Sequence, residues 1–545
     1  MDFKKHPFYK FALYVIVPFL VIFASANILF RNGPGPGSGL PLSEEYYRQA
    51  LRTNLTSIES HRNYIDAHFR IPYYISRHHY RDDNTIRGEY ESYSKNADPA
   101  VSDMGHYGLG YYYIKLNNTV MALSNYLKVA NTNLAYLNNS IGYIYSFNRD
   151  YDRAISFFSN EIRLKGYLSG AYLNLSQALY LKKDFKPLKI LITDDSVKQY
   201  IPVRLFRMSA LAGNDYLLYF RLYMSDIFSG IRPEGLAASL AILLLWFFYI
   251  RRLDIFEPEK YKYMVITLAL GMAFALMCMM MYDFWDFKLG LRMTGVWYED
   301  LFYCFFGIGV IEEISKILPF LLILFCTKAV SRSVDYVIYA SVSALGFAFV
   351  ENLQYLNAAG TGSIFARCLT STVIHMALTS IAVYGVLYVK YRLRKSNFLI
   401  ITAAFLCAVI IHGIYDFFLI SPSLYFITVA SFVILIFVFM AYHVIISNAI
   451  NASDSFDINS EGKLKVLHTY LIYGLSYIFI LQFLALSAVY GAAEGNSTLL
   501  QGLVTYFYFM FALSYQLGSF KPGKGKWIKM SEYIGSRYSR NRSKE

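Results

Sequence analysis

Charge is scarce in this 545-residue chain. Asp, Glu, Lys and Arg make up 16% of it against 56% hydrophobic residues, which excludes an ordinary soluble protein, where about a quarter of residues are charged. Cysteine is scarcer still. Its five copies, Cys278, Cys304, Cys326, Cys368 and Cys407, lie in or at the ends of apolar runs with no C-x-x-C spacing. That excludes a disulfide framework or thiolate metal site and leaves small packing residues. No H-E-x-x-H helix, G-x-S-x-G elbow or Gly-rich phosphate loop occurs, so the soluble zinc-hydrolase, serine-hydrolase and nucleotide-binding patterns are all missing. His61, His68, His78, His79 and His106 lack metal-ligand spacing and read as ordinary polar residues.

What the chain has instead is long apolar runs. Segments of about 17–25 such residues span a bilayer, and they occur near 11–30, 234–250, 263–281, 301–326, 334–356, 364–387, 398–420, 424–447, 466–490 and 499–519. The expected fold class is all-α: a polytopic helical membrane protein with about ten transmembrane helices. Lys4, Lys5 and Lys10 precede the first run, Arg251 and Arg252 follow the second, Lys328 and Arg332 the fourth, and Lys390, Arg392, Arg394 and Lys395 the sixth. Lys463 and Lys465 precede the ninth run, and a basic tail ends the chain. Simple alternation puts all of these on one side, the cytoplasmic one.

The expected organisation is therefore an anchor over 1–31, a Gly/Pro linker over 32–42, an exported domain over 43–228, a membrane domain over 229–520 with its core at 295–425, and a cytoplasmic tail over 521–545, in the plasma or inner membrane. Ala24-Ser25-Ala26 also reads as a signal-peptidase site; either reading exports the next domain, and the uncleaved anchor is preferred. The net charge of +13 collects at loop ends and in the tail, where it orients the protein and touches lipid headgroups, so no nucleic-acid partner is expected.

Inside the exported segment, Leu109-Gly110 with Tyr113, Ala122 and Tyr126 recurs as Ile141-Gly142 with Tyr145, Ala154 and Phe158, then more weakly from Leu175-Ser176. The period is close to that of a tetratricopeptide repeat, and Tyr151-Asp152-Arg153-Ala154-Ile155 resembles the start of that repeat's second helix. Stacked helix pairs bury each face against the next and make a binding surface, so a peptide or protein ligand is expected there.

The chemistry lies elsewhere. Glu312-Glu313-x-x-Lys316, Glu351-Asn352, His375, and His412 with Asp416 sit on four consecutive apolar runs. Each Asp, Lys or Arg at the centre of a membrane helix costs about 2.5–3.5 kcal/mol, so such residues signal function. Glu312 and Lys316 share a helix face and can pair, while Glu313 points about 100° away. His412 and Asp416 share a face too. Gly346, in the run before Glu351, permits close helix approach. An ion-coupled transporter or channel, using these groups as a proton relay, and a non-catalytic scaffold are the competing readings. Clustering on four adjacent runs, with no matching set in another half, argues against inverted repeats.

The set resembles the PrsW-type intramembrane proteases, related to the type II CAAX prenyl endopeptidases and bacteriocin-processing enzymes. The resemblance covers roughly 295–425 and rests on Glu312-Glu313-Ile314-Ser315-Lys316, Phe347-Ala348-Phe349-Val350-Glu351-Asn352, His375, and His412-Gly413-Ile414-Tyr415-Asp416. Lys316 and Glu351 stand where the wider superfamily commonly has Arg and His, which favours the PrsW branch over prenyl-protein processing. The resemblance implies an endopeptidase acting on membrane-anchored protein substrates within the lipid bilayer. In the preferred version Glu312 or Glu313 is the general base on a water held by zinc, with His375, His412 and a carboxylate, Asp416 or Glu351, as ligands. In the other version a Glu and a His activate water directly, and His412 with Asn352 or Asp416 steadies the oxyanion.

Overall fold

The computed structural model describes residues 10–31, 44–69, 84–421, 429–457, 461–520 and 522–534, and every regular element among them is helical. Two compact units emerge: residues 37–226, and residues 1–36 together with 227–545. The expected linker over 32–42 lies outside the described residues, as do His78 and His79.

The first helix, α1 (Ala12–Leu29), belongs to the larger unit. The smaller unit begins with α2 (Glu44–Thr53), α3 (Ile58–His68) and α4 (Asn84–Tyr93) and continues as helix pairs. These are α5 (Pro99–Lys115) with α6 (Thr119–Tyr126), α7 (Leu137–Phe147) with α8 (Tyr151–Arg163), α9 (Leu168–Lys182) with α10 (Phe185–Thr193), and α11 (Val203–Ala212) with α12 (Tyr216–Ser229). The first helix of every pair ends alike. Asn117, Arg149, Lys183 and Asn214 adopt left-handed φ values of 57°, 62°, 62° and 56°. The residue that follows each (Asn118, Asp150, Asp184, Asp215) donates its N–H over 2.9 Å to the carbonyl five residues back, which closes the helix as a Schellman motif. Asn118, Asp150 and Asp215 then accept the N–H groups of Met121, Arg153 and Leu218 at 3.1, 3.2 and 2.9 Å and so cap the second helix. These turns recur at intervals of 32, 34 and 31 residues. The fourth pair, which no side-chain pattern announces, keeps the same backbone rhythm. Ala122 and Ala154 are fully buried within their pairs, beside Tyr126 and Phe158.

The larger unit continues with α13 (Pro233–Leu253), α14 (Tyr261–Leu289), α15 (Trp297–Phe302), a π-helical turn (Tyr303–Gly309) and α16 (Val310–Cys326). There follow α17 (Ser333–Ala359), α18 (Ile364–Leu369), α19 (Ser371–Leu387), α20 (Phe398–Ile420), α21 (Val429–Asn451), α22 (Glu461–Tyr490) and α23 (Ala492–Gly518). Among the described residues nine stretches are long and apolar enough to cross a membrane, not ten. The exception is the run expected over 301–326. It carries three charges, Glu312, Glu313 and Lys316, and α16 has only 17 residues, so it reaches bilayer thickness only by continuing from α15 through the π turn.

Helix α17 occupies the middle of this unit, packed by α13, α14, α19 and α21. Its approach to α14 is backbone against backbone: a Cβ added at Gly346 would sit 2.3 Å from the Leu268 carbonyl oxygen. Small residues at such crossings are the usual means of packing helices in lipid. Gly346→Val forces these backbones apart and is expected to cost about 1–3 kcal/mol. Thermal unfolding in detergent measures it; an unchanged midpoint would mean that α14 and α17 separate freely.

At the N-terminal end, Phe23 of α1 stacks on Phe483 of α22 at 5.6 Å, Asn496 donates to Asn27 at 2.8 Å, and Ala26 is buried beside Phe483 and Leu499. Of the alternative signal-peptidase site, Ala26 is thus a packing residue of the bundle, while Ala24 and Ser25 are exposed. The first part of the basic tail folds back on α21. Asn448 brackets Ile528, accepting its N–H at 2.7 Å and donating to its carbonyl at 3.0 Å. Asn451 does likewise for Gly523 N–H and the Lys526 carbonyl, at 2.7 and 2.9 Å.

Candidate active site

The paired glutamates owe their position to the irregular stretch before them. π-Helical turns are rare and frequently found at functional sites, and the turn Tyr303–Gly309 lies directly against α20. The two pack backbone to backbone: a Cβ added at Gly413 would lie 3.0 Å from the Phe305 Cα, and one at Gly309 3.0 Å from the Val409 carbonyl oxygen. Glycine beside His412 therefore lets α20 come close enough for that histidine to meet the first turn of α16.

Lys316 is fully buried and is shared by both carboxylates: its Nζ donates to Glu312 Oε2 at 2.9 Å and to Glu313 Oε1 at 3.0 Å. Glu313, expected about 100° round the helix and free to face another partner, also reaches this ammonium, because side chains three and four residues apart can both meet one Lys. Nζ also lies 4.7 Å from the centre of the Phe347 ring. Glu313 is further held by His412 Nδ1 at 2.9 Å and by the Thr379 hydroxyl at 3.4 Å, while Tyr282 donates to Glu312 Oε1 at 2.5 Å.

The two histidines are each held from behind. His375 Nε2 lies 2.6 Å from Glu351 Oε2, and Glu351 in turn is 3.0 Å from Arg367 Nη2. With one ring nitrogen of each histidine committed to a carboxylate, Nδ1 of His375 and Nε2 of His412 are the nitrogens that face Glu312, at 3.9 and 3.6 Å from its Oε2. The rings meet edge to face at 5.7 Å. Asp416 Oδ2 lies 3.3 Å from the same His412 Nε2.

Glu312, His375 and His412 accordingly offer three ligand atoms all within 4.8 Å of one another. This group differs from the expected ligand set, since Glu312 takes the carboxylate position. Asp416 stands beside the group, and Glu351 is on the far side of the His375 ring, paired with Arg367. The donors suit the metal: two imidazole nitrogens and one carboxylate oxygen are a zinc set. His375 Nδ1 adds an independent sign, being buried with no hydrogen-bond partner, a state that costs about 1–3 kcal/mol unless satisfied. A second acidic group, Asp254, Glu259 and Asp335, also converges. There Arg332 already supplies the cation, at 2.8, 2.5 and 2.7 Å.

Asn352 does not reach the histidines. Its amide accepts from Arg367 Nε at 2.8 Å and donates to Thr372 at 3.0 Å, so its side chain braces α18 and α19. Arg367 and Tyr282 are the residues that sequence reasoning missed. Arg367 lies near the start of the run over 364–387 that carries His375, and that place is its only signal. Tyr282 is one of 50 tyrosines and carries none.

The part of the chain that holds this geometry is similar to known proteins. Residues 259–443, which include all eight expected site residues, match the model of the PrsW family intramembrane metalloproteases. The chain is 29% identical over 154 residues to the protease PrsW of Oceanobacillus iheyensis, covering 27% of this chain and 67% of that protein. It is 23% identical over 199 residues to protease PrsW of Geobacillus kaustophilus, covering 36% and 81%. With protease PrsW of Bacillus subtilis it shares 24% identity over 193 residues, covering 35% and 84%. No solved structure matches the chain significantly.

Proposed function

We propose that this chain is an intramembrane endopeptidase of the PrsW type, hydrolysing peptide bonds of membrane-anchored protein substrates. The observation that carries the reading is the convergence of Glu312, His375 and His412 from three helices onto one point, inside the segment similar to proteases named PrsW. These three side chains would hold a zinc ion, which when bound would polarise the scissile carbonyl and acidify a water molecule.

The remaining residues do the positioning and the proton work. Glu313 on His412 Nδ1 and Glu351 on His375 Nε2 keep the opposite nitrogens turned inward, the carboxylate–histidine arrangement that orients metal ligands. Lys316 holds Glu312 and Glu313 on one side. Asp416, beside His412 Nε2, is the carboxylate left to take a proton from the attacking water and pass it to the leaving amine.

The cut would fall toward the extracytoplasmic side. Under the Lys/Arg orientation, the C-terminal ends of α17 and α20 are outer ends, and Glu351 and His412 lie eight residues before Ala359 and Ile420, about 12 Å in at 1.5 Å per residue. Glu351 lies about two turns in, because α17 runs on to Ala359. In this reading the repeat unit is exported and binds a peptide or protein, while the tail is cytoplasmic.

Quantitative proteomics of membrane-protein fragments, comparing wild-type cells with a Glu312→Gln, Glu313→Gln double variant, tests the function. Uncut single-span substrates should accumulate with the variant, and identical fragment patterns would overturn the reading. Mapped fragment termini test the side: they should fall in the outer half of the substrate span, and termini in its cytoplasmic half would overturn the depth argument alone.

A further inference from the structure

Arg62 of α3 is partly buried and, among the described residues, has no carboxylate within ion-pair distance. Its guanidinium carbon lies 4.4 Å from the centre of the Tyr111 ring and 4.6 Å from that of Tyr136, with Tyr167 at 6.0 Å. Nη1 donates to the Tyr107 hydroxyl at 2.8 Å. Among the described residues, only this one of its five N–H donors has a hydrogen-bond acceptor. The neighbouring acids are already engaged: Asp66 pairs with Lys115 at 2.6 Å and accepts from Tyr111 at 2.9 Å, and Glu59 accepts from Tyr136 at 3.4 Å.

The aromatic wall is fixed from within. Tyr136 and Tyr167 stack at 4.4 Å, and both backbone N–H groups are held at 2.7 Å by Glu161, whose side chain is fully buried. A polar row leads away from the arginine across the first helices of successive pairs. Tyr107 Oη meets Ser140 Oγ at 3.4 Å, and beyond it Asn174 donates to Asn139 at 2.9 Å.

We propose that Arg62, flanked by Tyr111, Tyr136 and Tyr167, is the binding site for an acidic side chain of an extended peptide laid across these helices. Rings on the faces of a guanidinium leave its donors in the plane, where a carboxylate is taken by two parallel hydrogen bonds. Partial burial weakens competition from water, and a cation already partly desolvated, with no carboxylate partner among the described residues, loses little more when an anion arrives. The partly exposed amide of Asn174, held by the buried Asn139, supplies a donor and an acceptor for the peptide backbone further along the row. This inference concerns the repeat unit and stands whether or not the membrane unit is a protease.

The test uses the full chain in lipid nanodiscs and two fluorescein-labelled decapeptide pools with randomised flanks, one carrying Glu-Glu at the centre and one Gln-Gln. Fluorescence anisotropy should show the Glu pool binding at least about tenfold tighter at low salt, with the preference shrinking as ionic strength rises. Arg62→Gln should erase the preference, and Arg62→Lys, which keeps the charge but not the planar fork, should retain only part of it. Circular dichroism of each variant checks folding; should Arg62→Gln unfold, Tyr167→Leu replaces it and should weaken the Glu pool selectively. Equal binding of the two pools, no binding of either, or an undiminished preference in the folded variant would overturn the proposal.

Discussion

His375→Ala and His412→Ala are each expected to abolish peptide-bond cleavage and to lower bound zinc from about one ion per chain to background. Each removes one of three converging ligand atoms, and two remaining donors are too few for a site of this kind. Glu351→Gln is expected to act more mildly, by about 10–100-fold in metal affinity or activity, because it disturbs only the orientation of His375. Asp416→Asn should leave zinc bound while slowing turnover by about 10²–10⁴, the usual contribution of a general base. Elemental analysis of the purified protein, alongside turnover of a fluorogenic transmembrane peptide, separates these outcomes. Full activity after exhaustive chelation would eliminate the metal version; it would leave Glu312 and the histidines as direct activators of water.

The second large effect concerns stability. Lys316 is a fully buried cation between two buried carboxylates, so Lys316→Met leaves Glu312 and Glu313 without their shared counter-charge. Breaking a buried pair in this way costs about 3–5 kcal/mol. The expected result is a lower unfolding midpoint in detergent, with partial recovery when Glu313→Gln is added, since that removes one stranded charge. A midpoint equal to wild type would mean that the carboxylates find other partners or protons, and Lys316 would then be a functional rather than a structural cation.

Much of this protein is legible in its sequence because lipid punishes exceptions. Long apolar runs have few structural options in a bilayer, so the all-helical class and nine of the ten expected spans follow from hydropathy. The ionisable groups that interrupt those runs mark the site for the same reason. Glu312, Glu313, Glu351, His375, His412 and Asp416 stand out because each is expensive where it sits, and the small residue Gly346 announces a close helix crossing.

Tertiary structure decided what spacing alone leaves open. A helical position sets the direction of a side chain only relative to its own axis, and which neighbours it meets depends on how separate helices cross. Hence only the crossing of α16, α19 and α20 shows that Glu312 completes the converging group with His375 and His412. The commitment of Asn352 to Arg367, and of Lys316 to both glutamates, likewise appears only in three dimensions. In the smaller unit the third and fourth helix pairs lack the small-residue signature, yet left-handed turns at Asn117, Arg149, Lys183 and Asn214 repeat through all four. Backbone geometry there is carried by hydrogen bonds open to many residue types, so it leaves a weak trace in the side chains. The clustering of Arg62 with tyrosines from three later parts of the chain depends on the same stacking of pairs, which sequence order does not reveal.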